Sequence, residues 1–173
     1  MSDQINVMFS EEEVNTRIKE VADMINRDYA GKTVHFISVL KGGVFFTTEL
    51  AKRITIPVTF DFMCVSSYGD STVSSGHIKI IKDLDEPIEG REVIIIEDIV
   101  DSGRTLSHLA KLLKERKPAS LEICTLLDKP DRRTHEVDVK YTGFVIPDTF
   151  IVGYGLDYAQ KYRNLPYIGE VIL

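Results

Sequence analysis

Val14, Ile18, Val21 and Ile25 recur at the three- and four-residue spacing that lines one face of an α-helix. Just ahead of them, Ser10-Glu11-Glu12-Glu13 reads as a capping box: the Ser10 hydroxyl accepts a backbone N–H while Glu13 reaches back to the cap. Gly31 supplies the stop. Val34 to Leu40 is predicted as a strand, followed after Lys41-Gly42-Gly43 by a second helix from Val44 to about Arg53. Val58, Phe60, Phe62 and Cys64 then alternate with Thr59, Asp61 and Met63, the period-two pattern of a half-buried strand. Ser66 to Gly76, SSYGDSTVSSG, reads as a long mobile hairpin connection to an apolar segment from His77 to Ile81.

Val93-Ile94-Ile95-Ile96 is apolar on both faces, as expected of a central parallel strand covered by helices, and it ends in acid at Glu97 and Asp98. A helix from about Arg104 to Leu113 follows. Further strands are predicted at Ala119 to Leu127, Val137 to Ile146, Phe150 to Val152 and Tyr167 to Ile172. Strand alternating with helix predicts the α/β class: a mainly parallel central sheet with right-handed crossovers, helices on both faces, and a small cap built from both chain ends. With 173 residues, no internal repeat and no linker composition, one domain spanning 1–173 is expected.

The chain carries 21 Lys+Arg against 27 Asp+Glu, a net charge of −6. This argues against general nucleic-acid binding, whose affinity comes from cations neutralising phosphates, so no nucleic-acid partner is expected. Cys64 and Cys124 are too few for a disulfide framework and lie in apolar runs, where a thiol behaves as a small hydrophobe. MSDQINVMFSEEE at the start has neither a cationic segment nor an apolar core, so no secretory signal is expected. Apolar runs such as Val93 to Ile96 fall far short of the ~20 residues that span a bilayer, which predicts a cytoplasmic protein without a membrane partner. His35, His77, His108 and His135 show no metal-ligand spacing. Arg132 and Arg133 read as a cationic pair on a loop, making a surface or subunit contact.

In a sheet of this kind ligands bind beyond the carboxyl ends of the strands. The turn after Val93 to Ile96 reads Glu97-Asp98-Ile99-Val100-Asp101-Ser102-Gly103-Arg104-Thr105-Leu106. Gly103 permits close backbone approach, and the Ser102 and Thr105 hydroxyls with the free N–H groups of a helix start suit a phosphate. Three carboxylates beside that cradle would repel a bare anion, but they suit sugar hydroxyls and a bridging divalent cation. A sugar phosphate satisfies both halves.

The thirteen residues from Val93 to Thr105 resemble the signature by which type I phosphoribosyltransferases bind phosphoribosyl pyrophosphate. Within that family, Leu40-Lys41-Gly42-Gly43 is similar to the pyrophosphate loop of the hypoxanthine-guanine phosphoribosyltransferases, Ser67-Tyr68 to their flexible lid, and Leu127-Asp128-Lys129-Pro130 to their purine-recognition segment. Phe150-Ile151-Val152-Gly153-Tyr154-Gly155-Leu156-Asp157-Tyr158 with Arg163 resembles their base-stacking and metal-binding segment. Ser102 and Arg104 stand where relatives often carry Thr and Lys, swaps that keep a hydroxyl and a cation.

The resemblance implies transfer of 5-phosphoribose from phosphoribosyl pyrophosphate to N9 of hypoxanthine or guanine, with release of pyrophosphate and with Mg²⁺ as cofactor. It implies that Glu97 and Asp98 hold the ribose hydroxyls, that Glu97, Asp98 and Asp157 serve magnesium, and that Lys41, Gly42, Gly43 and Arg163 serve the pyrophosphate. Ser102, Gly103, Arg104 and Thr105 would hold the 5′-phosphate. Asp101 is the implied catalytic residue, either taking the N7 proton or orienting the purine. Lys129 would select a purine bearing an acceptor at O6, Phe150 would stack on the ring, and the Ile151 and Asp157 backbones would read its edge. A homodimer or homotetramer is implied as well. Two rival readings are a non-catalytic regulator of the same fold that binds RNA, and a phosphoribosyltransferase preferring xanthine.

Overall fold

The computed structural model describes residues 4–67 and 78–172. In chain order its elements are β1 (Gln4–Phe9), α1 (Glu11–Asp28), β2 (Val34–Leu40), α2 (Gly43–Ala51), β3 (Val58–Ser67), β4 (Ile78–Lys82), β5 (Glu92–Val100), α3 (Arg104–Lys114), β6 (Ser120–Asp128), β7 (Tyr141–Val145), β8 (Ile151–Val152) and β9 (Ile168–Ile172). The capping box forms: the Glu13 N–H donates to Ser10 Oγ at 3.2 Å, and the Ser10 N–H donates to Glu13 Oε2 at 2.7 Å. It opens α1, whose Val14, Ile18, Val21, Ala22 and Ile25 are buried.

Six strands make the main sheet in the order β4-β3-β2-β5-β6-β7. Every neighbouring pair from β3 to β7 is parallel, and β4 closes the edge antiparallel to β3. Because side chains alternate along a strand, the central strands feed two separate cores. Phe36, Ile94 and Ile96 pack with Ile18, Ile25, Phe46 and Leu50 of α1 and α2. Ile37, Val39, Val93 and Ile95 pack with Leu106, Leu109 and Leu113 of α3. This is why Val93 to Ile96 carries no polar residue.

A second, antiparallel sheet, β1-β9-β8, joins the two ends of the chain as the expected cap. The pattern did not identify β1: its partner β9 lies at the far end of the chain, and Val7 remains 58% exposed. Two boundaries also need correcting. The central strand does not end at the acidic pair; β5 runs on to Val100 because β6 is long enough to pair Glu97 with Thr125, Ile99 with Leu127 and Val100 with Asp128. The strand expected from Val137 begins only at Tyr141, with Val137 and Val139 packed against the α3-side core. No helix among the described residues is long and apolar enough to cross a membrane.

Candidate active site

Beyond Val100 the chain turns through Asp101, Ser102 and Gly103 into α3. Gly103 adopts φ +78°, and a Cβ there would meet the His135 carbonyl at 2.6 Å, so both conformation and space call for glycine. Gly103, at the N-cap of α3, has no side chain to cap it, so the positive dipole end of the helix faces the turn. The Ser102 Oγ accepts the Arg104 N–H at 3.3 Å, and the Ser102 carbonyl accepts the N–H groups of Thr134 and His135 at 2.9 and 3.1 Å. Glu97, Asp101, Ser102, Gly103, Arg104 and Thr105 all line the resulting concavity of ≈ 140 Å³. The recess thus sets the start of a helix and two hydroxyls beside two carboxylates.

Glu97 lines this recess, and its neighbour Asp98 lies against Gly42. Burial raises the Glu97 carboxyl well above the usual range, and the adjacent Asp98 raises it further. Burial likewise pushes Asp98 up to about 6, although the Ile99 N–H donates to its Oδ1 at 2.7 Å and Arg163 favours its ionised form. The two acids therefore lack full compensation from the protein, the condition in which a cation or a pair of hydroxyl donors is bound favourably. Gly42 presses against Asp98: a Cβ there would lie 1.8 Å from Asp98 Oδ2. Gly155, at φ +99°, backs Gly42 from the other side, with room for no Cβ because the Gly42 carbonyl would stand 2.0 Å from it. The Leu40–Lys41 peptide bond of this loop is cis.

On the Gly155 side lies a polar cluster. Arg163 donates through Nη1 to the Gly155 carbonyl at 2.7 Å and through Nη2 to Asp157 Oδ1 at 2.9 Å. Asp157 Oδ2 accepts the Gln160 N–H at 2.8 Å. The Gln160 side-chain oxygen in turn accepts from Lys41 Nζ and Arg163 Nη2, each at 3.4 Å. Lys41 and Arg163 are thus brought together, and Gln160 is the residue between them that the motif reading missed. Arg163 Nε is buried without a partner among the described residues, a donor left available.

A third space, ≈ 380 Å³, opens between the β5 turn and β8, lined by Asp101, Lys129, Arg132, Asp148, Phe150 and Asp157 among others. Lys129 is 8% exposed and donates Nζ to the Thr149 carbonyl at 2.6 Å, which anchors its ammonium at the cavity wall. Phe150 is 42% exposed and meets Tyr158 edge to face at 5.4 Å. Ile151, in β8, is buried beneath the same space. Asp101 accepts from Arg132 Nε at 3.1 Å, and Arg132 Nη1 lies 3.5 Å from Asp148 Oδ2. Arg133 pairs with Asp128 and donates Nε to the Asp101 carbonyl at 3.3 Å. As expected, Arg132 lies at the surface, its side chain 52% exposed where it pairs with Asp101 and Asp148; the expectation is corrected for Arg133, which turns inward to Asp128 and the Asp101 carbonyl. Asp128, beside Lys129 in sequence, was the one available signal for Arg133.

Tyr68 and most of the expected lid lie outside the described residues, while Ser67 ends β3. Glu97, Asp98 and Asp157 do not converge into one three-ligand cage; among the described residues no three His, Cys, Asp or Glu do so. Asp157 is engaged by Arg163 and the Gln160 N–H instead. A hard cation here would draw part of its shell from substrate and water oxygens, the usual habit of Mg²⁺.

The phosphoribosyl transferase domain family matches residues 10–159, which include the recess at the carboxyl end of β5. The chain belongs to the phosphoribosyltransferase family. It is 53% identical over 163 residues to the hypoxanthine-guanine phosphoribosyltransferase of Bacillus subtilis, covering 94% of this chain and 91% of that one, and 52% identical, with the same coverage, to that of Streptococcus thermophilus. A crystal structure of a hypoxanthine-guanine phosphoribosyltransferase from Bacillus anthracis superposes with TM-score 0.94 at 47% identity, covering 98% of this chain and 100% of that one. The chain also matches bifunctional TilS/HprT proteins of Listeria at 53% identity over 94% of its own residues, but spans only 25% of their length. Its branch of the family is that of the hypoxanthine-guanine enzymes.

Proposed function

We propose that the protein transfers 5-phosphoribose from phosphoribosyl pyrophosphate to N9 of hypoxanthine and guanine, forming IMP and GMP in purine salvage. The observation that carries this reading is the adjacency of two cavities that share Ile99 and Asp101 at one strand end: the recess of Glu97 and Ser102 to Thr105, and the cavity of Lys129 and Phe150.

In this scheme the α3 N-terminus, Ser102 and Thr105 hold the 5′-phosphate, with Arg104 adding charge. Glu97 and Asp98 accept hydrogen bonds from the ribose hydroxyls and set negative charge near the ring as it gains oxocarbenium character. Lys41, with the Gly42 and Gly43 backbone, and Arg163 stabilise the departing pyrophosphate. The bond between C1′ and pyrophosphate oxygen breaks as the bond from C1′ to N9 forms, and the purine's N7 proton passes to Asp101. Lys129 donates to O6, which suits the acceptor of a 6-oxopurine and opposes the amino group of adenine. Phe150 stacks on the ring, and the Ile151 and Asp157 backbones meet its edge.

Magnesium, when bound at Glu97 and Asp98 and near Asp157, supplies neutralisation of pyrophosphate charge. The uncompensated Glu97 and Asp98 carboxyls fit such an ion. A cytoplasmic location and assembly into a dimer or tetramer complete the proposal, on the resemblance to the same relatives.

The decisive assay offers purified protein, Mg²⁺ and phosphoribosyl pyrophosphate with hypoxanthine, guanine, xanthine and adenine in turn, and follows nucleotide formation by absorbance. Hypoxanthine and guanine are expected to react and adenine not to. Absence of IMP and GMP formation by folded protein refutes the reading, and preferential use of xanthine reassigns its base.

A further inference from the structure

The Asp101 carboxylate does not stand alone at the cavity wall. Its Oδ1 is held by Arg132 Nε at 3.1 Å, while among the described residues its Oδ2 has no partner. The far end of the same guanidinium lies 3.5 Å from Asp148 Oδ2, so Asp101, Arg132 and Asp148 form a chain of alternating charge along one rim. All three line the cavity shared with Lys129 and Phe150.

The backbone carrying Arg132 is sewn to the turn carrying Asp101. Pro130–Arg132 is a single 3₁₀ turn, started by proline, in which the Arg132 N–H donates to the Lys129 carbonyl at 3.1 Å. The Lys129 N–H donates to the Val100 carbonyl at 2.9 Å, Arg133 reaches the Asp101 carbonyl, and Thr134 and His135 donate to the Ser102 carbonyl. The residues on either side of Arg132 therefore fix its distance from Asp101. A carboxylate on a free side chain turns about two bonds; with one oxygen bonded to a planar guanidinium on this half-exposed rim, the other is biased toward one direction.

We propose that Arg132 is a positioning residue for the transfer. By holding Asp101 Oδ1, with Asp148 steadying its other end, it directs Oδ2 at the purine's N7 proton. This rests on the assignment of Asp101 given above. The pattern is that of a base oriented by a third group, with the charges arranged so that the cation also keeps Asp101 and Asp148 from repelling one another.

The test is a double-mutant cycle on kcat, with KM measured for each substrate. Arg132→Gln is expected to lower kcat about tenfold with KM for phosphoribosyl pyrophosphate within twofold, whereas in the Asp101→Asn background the same change should alter kcat less than twofold. Arg132→Lys, which keeps charge but loses the fork, should recover part of the loss. A purely structural arginine would act by the same factor in both backgrounds, and that result overturns the proposal, as does an unchanged kcat in Arg132→Gln alone. If Arg132→Gln fails to fold, Arg132→Lys in both backgrounds decides the question by the same criterion. Near-normal turnover of Asp101→Asn would instead refute the assignment of Asp101, and the proposal with it; a crippled Asp101→Asn with additive Arg132 effects refutes the positioning role alone.

Discussion

Gly42→Ala isolates one contact. Gly42 has φ −60° and ψ −36°, a right-handed conformation that alanine takes without strain, and the exchange should even favour folding by about 0.4–1 kcal/mol through the unfolded chain. Any penalty must then come from the methyl group, which would lie 1.8 Å from Asp98 Oδ2 and 2.7 Å from its Cγ. The loop has no room to retreat, because its Gly42 carbonyl is already backed by Gly155. Asp98 must therefore withdraw by roughly 1.6 Å to reach ordinary contact, and in doing so it releases the Ile99 N–H now 2.7 Å away. The displaced carboxyl is also the proposed ribose or magnesium ligand, and losing the substrate's hydrogen bond to that charged group forfeits about 1.5–3 kcal/mol of binding. Since each 1.4 kcal/mol is tenfold, affinity for phosphoribosyl pyrophosphate should fall about 10- to 150-fold, while release of the Ile99 N–H, only partly offset by the alanine gain, should lower Tm by up to about 10 °C. Calorimetric titration with the magnesium complex, paired with a thermal melt, measures both. A variant that binds phosphoribosyl pyrophosphate within twofold of wild type would falsify the wedge between Gly42 and Asp98.

Lys129→Gln replaces a pure donor with a side chain that can also accept, so the preference for hypoxanthine over adenine should drop at least tenfold, an order-of-magnitude expectation from the hydrogen-bond mismatch; an unchanged ratio of kcat/KM values counts against Lys129 as the O6 reader. Phe150→Ala removes a half-exposed ring worth about 1–3 kcal/mol if it stacks on the base, raising purine KM by roughly 5- to 150-fold with little change for phosphoribosyl pyrophosphate, and equal weakening of both substrates would point to a packing role instead. His35 is held below its ordinary pKa, first by burial and then by Arg91, so the unfolded chain binds more protons than the folded one once pH falls below about 6.5. Stability should accordingly decline as pH drops from that point through the folded pKa. His35→Phe should flatten that decline in melts at pH 7.5 and 5.5; its Nε2 has no partner to lose, and Thr59, bonded to Nδ1 at 2.7 Å, can turn to water. Parallel pH profiles for the two proteins would remove His35 as a source of acid sensitivity.

Much of this site is legible in order along the chain because one strand and its following turn supply most of it. Glu97, Asp98, Asp101 and Ser102 to Thr105 are neighbours in sequence, and the all-apolar Val93 to Ile96 announces a strand buried on both sides. The capping box at Ser10 was equally local. What escaped the pattern depends on distant partners. β1 is a strand only because β9 pairs with it, and a weak apolar alternation at Ile5, Val7 and Phe9 was the sole hint. Arg132 reads as a surface contact and stays exposed; what only the fold supplies is its partner Asp101, 31 residues earlier. Gln160 belongs to no charged motif, yet it sits between Lys41 and Arg163. The extension of β5 past its acids was hidden for a related reason: the length of a parallel strand is set by its neighbour, here β6, as much as by its own residues.

The small sheet that unites the first and last strands has a bearing on biosynthesis. Among the described residues β1 has one ladder partner, β9, and β9 also pairs with the strand that follows Phe150. A ribosome therefore finishes the Ser102–Thr105 recess and both helical layers well before the small sheet can form. Until β9 emerges, β1 and β8 lack the strand that joins them, and a product clipped before β9 would keep the recess while losing that sheet.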